Sequence, residues 1–167
     1  MNKQQRLPVF RQREIQNCIM RNNIALLIAD NDRASTEICF ADGTNETIAL
    51  PAETVLENWC LSYGSTLKGR IEAAALLTGC RTKLPVLIRE EDTLLLFPMR
   101  SLKADGFNCW ISDNLLAAAI PHERTETTLV FINGYQAKIP YDIRMVRRQQ
   151  EVCRKYRDIL AKRKMEY

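Results

Sequence analysis

The sequence predicts an α+β fold: a single domain of antiparallel β-hairpins packed with two short helices and a long basic C-terminal helix. Short apolar segments alternate with two-residue turn signals, Asp42-Gly43 and Asn133-Gly134. From Tyr141 onward the chain holds no glycine or proline, which favours one long helix. A chain of 167 residues, 46% of them apolar, is long enough for one sizeable core and short for two. We therefore expect one domain over residues 15–167, preceded by a flexible basic arm of residues 1–14 that lacks apolar periodicity.

The first elements expected after the arm are three antiparallel strands. Apolar or alternating segments with turn signals between them occupy residues 24–29, 36–40 and 46–50. Asp42-Gly43 can close the hairpin between the second and third segments because glycine readily adopts positive φ. These segments together predict an antiparallel meander over residues 23–50.

Two short helices are expected next. Pro51 stands at a plausible helix start, and Gly64 breaks that helix after a stretch with apolar residues on one face. In the second helix, either Ser65 or Thr66 can supply the oxygen that caps the N-terminus. Gly79 stands where a left-handed residue would end the helix.

The second half of the chain predicts further hairpins. Strand patterns occupy residues 85–89, 93–97, 108–112, 127–132 and 135–140. The first two strands are nearly all apolar, so we expect them in the centre of a sheet covered by helices. Asn133-Gly134 suits a type I′ turn, which needs positive φ at both residues. Residues 113–120 fit either one helical turn or a strand, and the pattern does not choose between them.

The last predicted element is a helix that begins after Asp142 as its cap and runs to about Lys164. A narrow stripe at helical spacing can face the core: Ile143, Val146, Gln150, Cys153, Tyr156 and Leu160. The rest of its surface is strongly basic, with nine lysine and arginine side chains against four acidic ones over residues 142–167. Such a helix has little apolar surface to bury and offers positive charge to solvent or to a partner.

The composition argues against several classes of site. The six cysteines are scattered, with no C-x-x-C pair and none beside His122, which predicts reduced, mostly buried thiols and no metal site. His122 falls in an exposed turn pattern, so we expect no nucleophile–base pair and no enzymatic activity. Gly64-x4-Gly69 is similar to a phosphate-binding loop, but Arg70-Ile71 stands in place of the Lys-Ser/Thr pair that such a loop needs. We therefore expect no bound nucleotide. We also expect no other cofactor and no small-molecule substrate. No apolar run of 18 residues or signal-peptide core occurs, so we expect a soluble cytoplasmic protein without a membrane partner.

The pattern of charge leaves anion binding as the favoured chemistry. Residues 62–83 carry four basic side chains and one acidic, whereas residues 22–61 carry one basic and seven acidic. The start of the second helix combines backbone N–H groups and a positive dipole end with Ser65, Thr66, Lys68 and Arg70. Arg81 and Lys83 follow its other end. The alternative is that the hydroxyls only cap the helix and the cations only solvate it.

A succession of short motifs resembles the bacterial competence transcription factor family ComK. The motifs are Gly64-Ser65-x-x-x-Gly69-Arg70, Lys83-x-Pro85 before an apolar strand, Leu96-Phe97-Pro98, Ser101, Cys109-Trp110-Ile111-Ser112, and the Asn133-Gly134 hairpin with a basic helix after it. They cover roughly residues 60–155. Each motif is short, so the resemblance rests on their common order and spacing.

This resemblance implies a cytosolic activator of DNA-uptake genes. Such a protein binds paired AT-rich boxes in double-stranded DNA, largely through the minor groove, as a homodimer or a dimer of dimers that bends the DNA. Arg70 is the first choice for an arginine inserted into the groove, because a narrow A·T minor groove concentrates negative potential. The expected DNA-binding residues are Ser65, Thr66, Lys68, Arg70, Arg81, Lys83, Arg144, Arg147, Arg148, Arg154 and Arg157.

Two other functions fit the sequence less well. The first is a protein-binding adaptor that keeps the same fold without affinity for DNA, with the narrow stripe of the last helix serving a partner. The second is a small hydrolase or transferase, which would need a polar pocket converging on His122 with a cysteine or serine within reach.

Overall fold

Two antiparallel sheets and four helices make up the described residues of this computed structural model, which are 9–21, 23–101, 103 and 106–166. The helices are α1 (Val9–Met20), α2 (Ala52–Ser62), α3 (Leu67–Thr78) and α4 (Ile143–Met165). The first sheet holds β1 (Ile24–Asp30), β2 (Ser35–Phe40), β3 (Asn45–Ile48), β4 (Val86–Arg89), β5 (Leu94–Met99) and β6 (Asn108–Ser112) in the order β3-β2-β1-β6-β5-β4. The second sheet holds β7 (Leu116–Glu123), β8 (Glu126–Phe131) and β9 (Gln136–Ile139) in that order. The predicted single-domain α+β fold is confirmed.

The six-stranded sheet is buried on both faces. One face packs against α1 and α2 through a core that includes Ile15, Val55 and Trp59. The other face packs against α4 and the three-stranded sheet through a second core that includes Phe97 and Tyr156. Helix α3 packs beside β4 and contributes partly buried side chains to both cores.

Turn and cap chemistry produced most of the expected elements. The meander forms as β1, β2 and β3, with Gly43 at a φ of +88°, although the β2–β3 connection comprises three residues, 41–43, where the pattern predicts a two-residue turn. Helix α3 begins after Thr66, whose hydroxyl accepts a hydrogen bond from the Gly69 N–H at 2.9 Å. It ends at Gly79, which is left-handed. The predicted meander and the predicted ends of α3 are confirmed, and so is the α4 cap, where Asp142 accepts from the Arg144 N–H at 2.8 Å.

The prediction that both apolar strands of the second hairpin lie in the centre of the sheet is wrong for β4. This strand forms the edge of the six-stranded sheet. Its side chains Val86, Leu87 and Ile88 are nevertheless buried, because α2 and α3 pack against it. An apolar strand therefore indicates burial by neighbouring elements and does not by itself indicate a central position.

Three smaller differences concern local structure. Residues 9–14 of the expected arm belong to α1, which the sequence pattern did not predict; residues 1–8 lie outside the described residues, so the domain boundary stays a prediction. The ambiguous segment 113–120 mostly forms β7. The β8–β9 connection has positive φ at both Asn133 and Gly134, as expected, but it comprises three residues, 132–134.

The strand directions define two ends of the six-stranded sheet. At the Glu90 end, the β4–β5 turn meets the start of α3 through Arg70 and the last turns of α4 through Lys164. At the Arg100 end, β4 begins, β5 finishes, and Arg100 approaches Glu53 in the first turn of α2. Helix α3 runs between the two ends. None of the described helices is both long enough and apolar enough to span a membrane.

Candidate nucleic-acid interface

The start of α3, at the Glu90 end, uses its polar groups within the protein. The Leu67 N–H donates to a Glu57 carboxylate oxygen at 2.7 Å, and the Gly69 N–H donates to the Thr66 hydroxyl. A Cβ atom on Gly69 would stand 2.9 Å from that hydroxyl oxygen, so glycine here permits the cap. The Glu57 carboxylate occupies the position at the helix N-terminus that a phosphate would take.

The cations at the start of α3 are also paired. The Arg70 side chain is only 12% exposed, and its Nη1 lies 3.0 Å from Glu90 Oε1. Its Nε is buried and finds no hydrogen-bond acceptor among the described residues. Lys68 is exposed and lies 3.9 Å from Glu72. The start of α3 thus holds Ser65, Thr66, Lys68 and Arg70 together. Glu72 and Glu90 offset the charges of the two cations, and Arg70 must leave Glu90 to reach a ligand.

The cations of helix α4 that were expected to bind DNA differ in whether they are paired within the protein. Arg157 donates to Asp113 at 2.8 Å, to the Thr93 carbonyl at 2.8 Å and to Asn114 at 2.7 Å, so all of these donors serve the protein. Arg144 pairs with its own cap residue, Asp142, at 3.1 Å. Three further side chains are exposed and have no carboxylate within 4.0 Å in the described part of the chain: Arg147, Arg148 and Arg154.

A basic cleft lies at the Arg100 end between the loop after α3, the end of β5 and the first turns of α4. Its volume is about 270 Å³. Four cationic side chains line it: Arg81, Lys83, Arg100 and Arg148. Three of these, Arg81, Lys83 and Arg100, also border a smaller cavity of about 130 Å³ on the α2 side of the sheet. The cations therefore surround the end of the sheet and are accessible from both of its faces.

A buried amide holds the walls of the basic cleft together. Gln149 is 5% exposed, and its Nε2 donates to the Lys83 carbonyl at 3.0 Å and to the Pro98 carbonyl at 2.9 Å. These hydrogen bonds join α4 to the loop after α3 and to β5. Lys83 has a φ of +53°, a left-handed conformation that is uncommon for a residue with a side chain. The buried glutamine of α4 is Gln149 and not the predicted Gln150. Half of the stripe predicted for α4 is half-buried, and the other half is buried, namely Val146, Cys153 and Tyr156.

The basic cleft differs from the Glu90 end in its balance of charge. Within the described residues, the one carboxylate within 4.0 Å of any of its four cations is Glu53, at 3.8 Å from Arg100. Uncompensated like charges around a concave surface raise the local potential and attract polyanions. This balance makes the basic cleft the stronger candidate for binding a phosphate backbone.

The sequence predicts a DNA-binding role for three of the four cations of the basic cleft but not for Arg100. Arg81, Lys83 and Arg148 were expected to bind DNA, but nothing in their spacing predicts that they meet. Arg100 directly follows the buried strand β5 and precedes Ser101, so the motifs used for the family resemblance flank it. A cation at the end of an apolar strand was the signal that could have identified it.

The thiols show the environments that the sequence predicts, and His122 is exposed as expected but lies on a strand and not in a turn. All six cysteines are free; five are buried, and Cys80 is half-buried. Burial raises the pKa of Cys18 to about 12 and that of Cys39 and Cys60 to about 11, which disfavours the nucleophilic thiolate. His122 is exposed on β7, with its Nε2 3.3 Å from Lys138 Nζ. No group of metal-ligating side chains occurs among the described residues.

Comparison with known proteins connects this geometry to one family. A family model described as ComK protein matches residues 15–165, nearly the whole chain. No curated protein and no solved structure matches the chain. The match includes every element that forms the basic cleft.

Proposed function

The chain belongs to the ComK family, and from this premise we propose that it is a sequence-specific DNA-binding regulator of competence genes. It binds AT-rich duplex through the minor groove and the phosphates and acts as an activator of DNA-uptake genes in the cytoplasm. Family membership supports a competence transcription factor in general, and the family is one of transcription factors and not of enzymes. The binding mode and the sequence preference are our proposal.

The observation that carries this proposal is the basic cleft at the Arg100 end. Four cations from three separate segments of the chain converge there, and Glu53 is the one carboxylate within 4.0 Å of any of them among the described residues. Phosphate contacts supply most of the sequence-independent affinity for DNA, because each neutralised phosphate releases condensed counterions. A cleft with this charge suits a phosphate backbone better than an uncharged ligand.

The first turns of α4 extend the proposed contact surface. Arg144, Arg147 and Arg148 lie on the part of α4 nearest the basic cleft, and Arg154 follows on the exposed side. We propose that these side chains contact phosphates and that Ser65, Thr66, Lys68 and Arg70 contact a more distant part of the duplex. Helix α3 has 12 residues and would span about 18 Å at 1.5 Å per residue, or roughly five base pairs of B-form DNA.

The proposed assembly is a homodimer or a dimer of dimers. Paired DNA boxes favour a protein with two-fold symmetry, because each half-site then meets an identical surface. Sedimentation of the protein with a duplex that carries one or two AT-rich boxes measures the stoichiometry. One chain per box, without association between chains, would contradict the proposed assembly.

A salt titration with matched variants tests DNA binding at the basic cleft. Fluorescence anisotropy measures the affinity of the wild type and of R81Q/K83Q/R148Q for an AT-rich duplex over a range of salt concentrations. If the three side chains each neutralise one phosphate, the slope of log affinity against log salt falls in magnitude by about 2.7. The triple variant R33Q/R124Q/K162Q is the control, because it removes three exposed cations outside the cleft.

Two results would contradict the proposal. Absence of wild-type binding to AT-rich duplex at low salt would remove the DNA-binding function and leave the adaptor as the better hypothesis. Equal losses from the cleft variant and its control would show that the protein binds DNA but not at the basic cleft. The variant R70A, measured in parallel, tests whether the Glu90 end also contacts the duplex.

A further inference from the structure

We propose that Arg100 is the arginine that enters the DNA groove and recognises AT-rich sequence, and that Trp110 is the residue that positions it. This inference rests on the proposed function, since it assigns a specific role within the same basic cleft. The resemblance points to Arg70 for that role. In the structure, however, Arg70 is mostly buried and paired with Glu90. Arg100 suits the role better, because its guanidinium is both oriented and accessible.

An aromatic face orients the Arg100 side chain. Its guanidinium carbon lies 5.1 Å from the centroid of the Trp110 ring, within the range of a cation–π interaction. Trp110 is 3% exposed and sits on β6, where it pairs with Pro98 across the ladder. The platform beneath Arg100 is therefore part of the rigid core.

Arg100 also keeps its hydrogen-bonding capacity. The side chain is 51% exposed. Among the described residues, the one carboxylate within 4.0 Å of it is that of Glu53, at 3.8 Å, and none accepts a hydrogen bond from it. In the part of the chain that the structure describes, two other arginines lie over aromatic rings, and both are paired with carboxylates. Arg21 pairs with Asp42 at 3.1 Å, and Arg89 holds Asp92 at 2.6 Å.

These two properties together suit recognition of base edges. An arginine that is free in solution loses rotamer entropy when it enters a groove, whereas one already held over a ring loses less. No aromatic ring among the described residues lies beneath Arg81, Lys83 or Arg148. These side chains therefore suit contacts to phosphate, which depend on positive charge more than on a defined side-chain orientation. The planar guanidinium is also less strongly hydrated than an ammonium group, which favours arginine over lysine in a narrow groove.

The variants R100K and R100A test this assignment against R148Q, with anisotropy on an AT-rich and a GC-rich duplex of equal length. R100K keeps the positive charge and loses the planar guanidinium. We expect it to retain GC-rich affinity within about twofold and to lose about tenfold on the AT-rich duplex. R148Q removes a phosphate contact and should weaken both duplexes by a similar factor.

The outcomes separate the groove assignment from DNA binding itself. If the ratio of AT-rich to GC-rich affinity is the same for R100K as for the wild type, Arg100 does not enter the groove, while the proposed function still stands. If R100A loses affinity equally for both duplexes, the groove assignment is also wrong, because Arg100 would then contact phosphate only. If the wild type binds neither duplex, the proposed function fails and this assignment fails with it. Circular dichroism melts of R100A confirm that the variant is folded.

Discussion

Replacement of Arg157 by alanine should destabilise the protein, because this side chain joins α4 to the two chain segments that meet at the Glu90 end. Its guanidinium donates to Asp113, Asn114 and the Thr93 carbonyl at 2.7–2.8 Å. Hydrogen bonds to a charged group contribute about 1.5–3 kcal/mol each. The side chain is 28% exposed, so water replaces part of the loss. We expect a net loss of about 3 kcal/mol, since Asp113 also keeps an unpaired, mostly buried charge.

Thermal unfolding followed by circular dichroism measures this loss. For a chain of this length, a loss of 3 kcal/mol lowers Tm by about 6–12 °C. R147A is the matched control, because Arg147 is exposed on the same helix without an ion pair in the described part of the chain, and its effect should stay within about 0.5 kcal/mol. A Tm for R157A within about 2 °C of the wild type would refute the reasoning. The same variant, assayed well below its Tm, tests the prediction from sequence that Arg157 contacts DNA.

Two further predictions concern pH and thiol chemistry. The hydrogen bonds from Arg89 hold the pKa of Asp92 below its usual value, so the pair stabilises the fold above about pH 4 and the contribution is lost as the pH falls through the folded-state pKa. D92N should therefore lower Tm by about 2–4 °C near neutral pH and leave it unchanged in strong acid. The same change in Tm at both pH values would contradict this linkage. A thiol reagent should modify Cys80 first, because the other five cysteines are buried. The rapid phase should disappear in C80A, and its persistence would show that another thiol opens readily.

Local signals in the sequence predicted the elements well because local interactions determine them. Thr66 caps α3 with its own hydroxyl, Gly79 ends the helix with a positive φ, and Asp142 caps α4. Each of these contacts spans four residues or fewer along the chain, including the hydrogen bond from the Gly79 N–H to the Ala75 carbonyl. The pattern missed α1, half of whose residues are polar and whose packing depends on distant partners such as Trp59, which donates to the Ile15 carbonyl at 2.7 Å.

The order of strands could not be predicted in the same way. An apolar segment such as β4 indicates that both of its faces are covered, but it does not say whether a strand or a helix stands beside it. In this protein α3 packs against the edge strand, and this packing places the start and the end of α3 at opposite ends of the sheet. The cations that flank α3 in sequence are separated for that reason.

The sequence by itself determined the fold class, most of the helices and strands after residue 23, and the family, because helical spacing, turn residues and collinear motifs are properties of neighbouring residues. It also determined that positive charge concentrates near residues 62–83 and 142–167. Only the tertiary structure decided which of those charges are available. Glu57 and Glu90 offset the positive charge at the start of α3. By contrast, the basic cleft gathers Arg81, Lys83, Arg100 and Arg148 with one carboxylate in reach in the part of the chain that the structure describes. Electrostatic potential depends on distances in space, which the order of residues along the chain does not specify.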